Sequence, residues 1–93
     1  METHEFLLQA RIGTATLHAW IEAGWLAPPR HDESLEFSEV DLARAQLIRD
    51  LQHMGVNDEA VPIILDLIDQ MHGLRHTMRA LLSEVAARTG KAN

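Results

Sequence analysis

Four carboxylates in the second half of the chain recur at the spacing of one helical surface: Asp58, Glu59, Asp66 and Asp69. The first and last are eleven residues apart and the middle two are seven apart, so a helix would place all four on adjoining strips. Such a set can contact a basic partner surface, or it can be a solvated face that complements the positive end of the helix dipole. Both interpretations remain open from the spacing alone.

Two histidines near these carboxylates have the spacing that a metal site could use, because Asp69, His72 and His76 share a helical face at steps of three and four. No fourth ligand is evident and the chain has no Cys, so we expect neither a metal nor a cofactor. The sequence also shows no nucleophile beside a base, no glycine-rich phosphate loop and no carboxylate pair placed across a cleft. We therefore predict that the protein is not an enzyme.

The carboxylates lie on a segment, residues 57–88, that we predict to be a long helix capped by Asn57. Its apolar stripe, flanked by Leu67 and Leu81, comprises Ile64, Ile68, Met71, Leu74, Met78 and Leu82. We expect this stripe to pack against a second copy of the chain, which makes a homodimer the predicted state. Gly73 lowers helix propensity, so one helix or two halves with a bend near that residue both remain open.

The first 56 residues predict two short helices, a hairpin and a third helix. Gly13 separates the first two helices, and Gly24 ends the second because glycine tolerates positive φ. The two prolines that follow cannot continue a helix, so residues 28–37 are predicted to form a short hairpin, or wing. Ser38 followed by Asp41 is close to a capping box and opens the third helix. The predicted fold class is all-α.

The composition indicates one small domain over residues 1–93, with a winged helix-turn-helix part at 1–56 and a helical part at 57–88. No apolar segment approaches the roughly 18 residues of a membrane span, and the start METHEF does not look like a signal peptide, so we expect a cytoplasmic protein without membrane contact. Residues 1–40 hold seven acids and two bases, a charge of −5. This end should repel phosphate, which argues against nucleic acid and favours a basic protein partner.

The order of these elements resembles the N-terminal half of MerR-type regulators over roughly residues 3–88. The likeness rests on TLHAWIEAGWLAP at 16–28, FSEVDL at 37–42, LIRDL at 47–51 and MGV at 54–56. The resemblance implies a MerR-like winged helix-turn-helix followed by a long C-terminal helix. It also implies that the homodimer is antiparallel.

Within that superfamily, the acidic wing and the segment 55–75 look most like the chaperone-modulator branch, CbpM. This resemblance implies that the protein binds and inhibits the J-domain of a DnaJ-like co-chaperone, CbpA. A J-domain typically presents a basic helix to its Hsp70, so the resemblance makes the four carboxylates the expected partner-binding residues. They are Asp58, Glu59, Asp66 and Asp69.

The chain departs from a DNA reader at two places. A MerR-type recognition helix usually has Arg and then Tyr-Tyr after its Thr-Leu pair, where this chain has His18, Ala19 and Trp20. The predicted wing has acids where such readers carry bases, namely Asp32, Glu33 and Glu36. DNA is therefore not the expected partner, because most phosphate contacts are missing. A MerR-type DNA-binding transcriptional regulator is the alternative function, and a bare dimerising domain is the third.

Overall fold

The computed structural model describes residues 1–92 and, within them, contains four helices and one antiparallel two-stranded hairpin. In chain order the elements are α1 (Thr3–Ala10), α2 (Thr14–Glu22), β1 (Arg30–His31), β2 (Ser34–Leu35), α3 (Glu39–His53) and α4 (Val61–Ala92). The chain divides into two compact units, of which the first is Met1–Val61 and the second starts at Pro62. The predicted helical fold, with a winged helix-turn-helix start and a long C-terminal helix, is confirmed.

Helix α2 ends as its sequence predicts. Gly24 has a φ of 78°, in the left-handed region that glycine enters without steric cost. Its N–H donates to the carbonyl of Ile21 at 3.0 Å, and the N–H of Trp25 donates to the carbonyl of Trp20 at 2.9 Å. This pair of bonds is a Schellman motif, which satisfies carbonyls that the end of a helix leaves unpaired. The turn sets the direction in which the chain leaves α2 toward the hairpin.

The core of the first unit is built around two stacked aromatic rings. Phe6 in α1 and Phe37, just before α3, have ring centroids 4.1 Å apart and an interplanar angle of 11°. Both side chains are almost completely buried, together with Leu17, Leu26, Ala45, Ile48 and Val61. Helix α1 packs against α3. Side chains from every helix of this unit therefore share one apolar core, and this core holds α2 in position.

The wing is a tight hairpin in which Arg30 pairs with Leu35 and His31 with Ser34. Its two turn residues are Asp32 at φ 49° and Glu33 at φ 66°. A two-residue hairpin turn of the favoured type needs positive φ at both central positions, which Asp tolerates better than Glu does. Both carboxylates are exposed at the tip of the wing.

Helix α3 begins with a complete capping box. The Asp41 N–H donates to Ser38 Oγ at 3.2 Å, and the Ser38 N–H donates to Asp41 Oδ2 at 2.9 Å. Each side chain thus satisfies a backbone donor that the start of the helix would leave without a partner. The prediction made from these two residues is confirmed.

Replacing Ser38 with Ala is expected to lower the free energy of unfolding by about 1 kcal/mol, because the Asp41 N–H loses its acceptor. Thermal unfolding followed by tryptophan fluorescence measures the change. Ser83→Ala is the matched control, since Ser83 is exposed within α4 and Ala has the higher helix propensity. Equal melting temperatures for Ser38→Ala and the wild type would contradict a stabilising cap.

Helix α4 begins at Val61, three residues later than the predicted first helical residue, Asp58. Residues 58–60 form a turn in which Asn57 Oδ1 accepts from the Ala60 N–H at 2.9 Å. The reason for the late start is Pro62. Proline has no N–H and its ring clashes with the carbonyl four residues earlier, so it is tolerated only in the first turn of a helix. A helix starting at Asp58 would have placed Pro62 beyond that turn.

The predicted weak point at Gly73 does not interrupt α4, which is one helix through this residue and continues past Arg88 to Ala92. The cost of a helical glycine is about 1 kcal/mol relative to Ala, less than the cost of ending one helix and nucleating another. The last turns are also supported by an ion pair between Arg88 and Glu84 at 2.5 Å.

Of the 93 residues predicted to form the domain, Asn93 lies outside the described residues. No helix among the described residues is long and apolar enough to cross a membrane.

Candidate functional site

The four carboxylates predicted to form one acidic surface are divided by the structure into two pairs. Asp58 and Glu59 are exposed in the turn before α4, where Asp58 Oδ1 accepts from Gln52 Nε2 at 3.4 Å. Asp66 and Asp69 are exposed on α4 itself. The prediction that all four share a single helix is wrong, because Pro62 delays the start of α4 until after the first pair. Their role in binding a partner stays a prediction for each pair separately.

Helix α4 exposes an uncovered apolar seam along most of its length. Leu67, Met71, Leu74, Met78, Leu81 and Val85 are each between 47% and 65% exposed. With the half-buried Ile64, they follow each other at alternating steps of three and four, which is the a/d pattern of a coiled coil. We name these seven residues the α4 seam. Exposed apolar patches of this extent are characteristic of interaction surfaces.

The predicted dimerisation stripe overlaps the seam but is not identical with it. Ile64, Met71, Leu74 and Met78 belong to both. Ile68 is half-buried, and Leu82 is 63% exposed but lies at the edge of the seam. Leu67 and Leu81, predicted as flanks, lie within the seam itself. The sequence signal that identifies Leu67 and Leu81 as seam residues is the strict alternation of three-residue and four-residue spacings between apolar positions.

The exposed side of α2 carries no base, since the helix reads TATLHAWIE. His18, Ala19 and Glu22 are exposed, whereas Trp20 is buried and belongs to the core. Trp20 therefore cannot replace an aromatic contact residue of a DNA reader. The surface that a winged helix-turn-helix normally turns to DNA has small, neutral and acidic side chains in this protein, and phosphate-binding groups are largely missing from it.

A groove of about 450 Å³ lies between α2 and the wing. Its lining comprises His18, Ile21, Glu22, Gly24, Leu26, Ala27, Pro28, Arg30 and Leu35. The apolar members come from the end of α2, from the chain after its Schellman motif and from β2. The geometry of the α2 terminus and the pairing of the hairpin together create this concave surface.

Across residues 1–92, no three His, Asp or Glu residues are placed so that they could hold a metal ion, and this includes Asp69, His72 and His76 on α4.

Comparison with models of known protein families gives a match. A family model described as MerR HTH family regulatory protein matches residues 1–82. No curated protein and no solved structure matches the chain significantly. The match extends from the first residues through the helix-turn-helix, the wing and α3 to most of α4.

Proposed function

The chain belongs to the MerR HTH family of regulatory proteins, and from that premise we propose that it regulates by binding a protein. In this proposal it is a CbpM-like chaperone modulator that binds and inhibits the J-domain of a DnaJ-like co-chaperone, CbpA. The observation that carries the proposal is the surface of α2 and the wing: α2 has no Lys or Arg, and the wing has Asp32, Glu33 and Glu36 where a DNA-reading member carries bases. A cytoplasmic location is part of the proposal.

The charge of the first unit supports a basic partner. Residues 1–61 hold eleven Asp and Glu against four Arg, which gives this part of the chain a charge of −7. The remaining residues carry +1, so the whole chain has a net charge of −6. Half or more of the hydrogen bonds in protein–DNA complexes go to the phosphate backbone, which this unit repels. The same field attracts a positively charged protein surface and raises the rate of encounter.

Inhibition would follow from covering a basic helix of the J-domain, the surface that the resemblance assigns to Hsp70 contact. Asp66 and Asp69 on α4 form one proposed contact pair. Asp66 Oδ2 accepts from Gln70 Nε2 at 2.8 Å, so its carboxylate is held against the helix while remaining exposed. Asp58 and Glu59 form the second proposed pair.

We also propose that the α4 seam forms an antiparallel homodimer. From Val61 to Gly73 the helix carries two acids and no base, a charge of −2. From Leu74 to Gly90 it carries three arginines and one glutamate, a charge of +2. An antiparallel pair places the acidic part of each helix beside the basic part of the other, whereas a parallel pair places like charges together. At 3.6 residues per turn, Asp69 lies opposite the seam, so dimerisation leaves it accessible.

Reversing both charges on α4, Asp66→Lys with Asp69→Lys, is expected to slow association with the J-domain about tenfold at low salt. Attraction between opposite charges mainly sets the association rate, and salt screens it. Stopped-flow association at low and high salt, with the melting temperature of each variant, measures the effect. Folding should survive, because exposed substitutions usually change stability by less than about 0.5 kcal/mol.

The matched control for this experiment is Glu5→Lys with Asp50→Lys. It makes the same change in net charge at exposed positions of α1 and α3. A loss of association rate shared by both double variants would show a general effect of net charge. An unchanged affinity in the α4 variant would mean that Asp66 and Asp69 are only a solvated face.

The second candidate function is a MerR-type DNA-binding transcriptional regulator. The family match favours it directly, because the matched description is that of a helix-turn-helix regulatory protein. A DNA reader would need phosphate contacts from the wing, where Arg30 is accompanied by Asp32 and Glu33. Sequence-dependent, nanomolar binding of duplex DNA near physiological salt would establish this function and contradict the first.

A further inference from the structure

We infer that the groove between α2 and the wing receives an apolar side chain from a basic amphipathic helix of the partner protein. The inference rests on the proposed protein-binding function, and it assigns a surface that the predicted carboxylate pairs do not include. Two observations carry it, the apolar lining of the groove and the two carboxylates at the tip of the hairpin that forms one side of it.

The lining of the groove is largely apolar and accessible. Ile21, Pro28 and Leu35 are half-buried lining residues, and the buried Leu26 also belongs to the lining. A volume of about 450 Å³ is within the range of about 300–1,000 Å³ in which proteins bind sizeable apolar groups. The groove therefore has room for a large aliphatic side chain. Helices that bind in grooves insert such residues from one face, at spacings of three and four.

The charged side chains in and next to the groove determine which flanking charges the inserted helix can carry. Glu22 and Arg30 both line the groove, and their charges cancel. Asp32 and Glu33 are exposed outside the lining, at the tip of the hairpin in which the lining residues Arg30 and Leu35 pair. The two lining charges and the two wing-tip carboxylates together give a charge of −2 on the surface in and next to the groove. Glu36 is left out of this count because its Oε1 accepts from the Met1 amino group at 3.0 Å. Lys and Arg beside the apolar anchor of the incoming helix match this charge.

The test uses two labelled helical peptides and one triple variant of the full chain. Both peptides have Leu on one face, and the flanking positions are Lys in one and Glu in the other. Fluorescence anisotropy is expected to show binding of the Lys peptide alone. The variant Glu22→Gln, Asp32→Asn, Glu33→Asn is expected to bind it about tenfold more weakly at low salt. Asn accepts positive φ, so these changes preserve the wing turn.

The control triple variant is Glu5→Gln, Glu39→Gln, Asp50→Asn, which removes three exposed carboxylates elsewhere in the first unit. It should bind the Lys peptide as the wild type does. Amide chemical shifts in the complex should change in residues 21–35. Changes confined to the α4 seam, equal binding of the Glu peptide, or equal weakening in the control variant would each overturn the inference. Nanomolar binding of duplex DNA to residues 21–35 would overturn it as well.

A parallel titration with the J-domain separates this inference from the proposed function. If the J-domain binds the wild type and the groove variant equally, the groove inference fails and the proposed function stands. If the J-domain does not bind while the Lys peptide occupies the groove as expected, the proposed function fails and the groove binds the helix of a different basic protein.

Discussion

Replacing Leu74 with Asp is expected to give a monomer at tens of micromolar, where the wild-type chain is expected to be a dimer. Leu74 is 65% exposed in the single chain and lies at the middle of the α4 seam. In a paired seam this position is buried, and an unpaired carboxylate there costs several kcal/mol. A loss of roughly 3 kcal/mol raises the dissociation constant more than a hundredfold. Sedimentation velocity measures the mass of both proteins directly.

Leu8→Asp is the matched control for the seam, since Leu8 is 67% exposed on α1. It introduces the same charge at a similarly exposed leucine and should sediment as the wild type does. A monomeric wild type would show that the seam does not bind a second copy. A dimer in both the wild type and Leu74→Asp would place the dimer interface on another surface.

Replacing Phe6 with Ala is expected to lower the free energy of unfolding by about 3–5 kcal/mol. The Phe6 side chain is fully buried and stacks on Phe37 at 4.1 Å, so Ala leaves a cavity and removes the contact that joins α1 to the start of α3. Small domains have only about 5–15 kcal/mol of stability in total. Much of the first unit should therefore be unfolded at moderate temperature.

Denaturant unfolding followed by tryptophan fluorescence tests this prediction, because Trp20 and Trp25 are both buried in the first unit. The control Leu8→Ala removes an exposed side chain from the same helix and should change stability by less than about 0.5 kcal/mol. A Phe6→Ala variant as stable as the control would contradict the assignment of the stacked rings as the centre of the core.

The parts of the fold that could be predicted from the sequence are those determined by neighbouring residues. Ser38 and Asp41 contain all the atoms of the capping box, and Gly24 alone permits the positive φ that ends α2. The start of α4 is also determined by neighbouring residues, but two of them, Asn57 and Pro62, favour different first residues for the helix. Asn57 suits an N-cap and does bond to the Ala60 N–H, yet Pro62 moved the first helical residue to Val61.

The surfaces were harder to predict because they depend on residues distant in sequence. The periodicity of the sequence predicts that α4 carries a stripe of apolar residues. It does not distinguish the apolar residues that are buried, such as Val61 and Leu65, from those that stay exposed in the seam. The groove could not be found at all from spacing. Ile21 and Leu35 meet in its lining only because the α2 turn and the hairpin bring the wing back toward the helix.

The central claim is that this member of the MerR HTH family binds a J-domain and not DNA. Titration calorimetry tests it most directly, with the purified full chain near physiological salt and the J-domain of a DnaJ-like co-chaperone from the same genome. Duplex DNA from upstream of the chain's own gene is titrated in parallel. We expect saturable J-domain binding with a Kd in the micromolar range or tighter, and no binding of DNA. The absence of J-domain binding, together with nanomolar, sequence-dependent binding of the duplex, would contradict it.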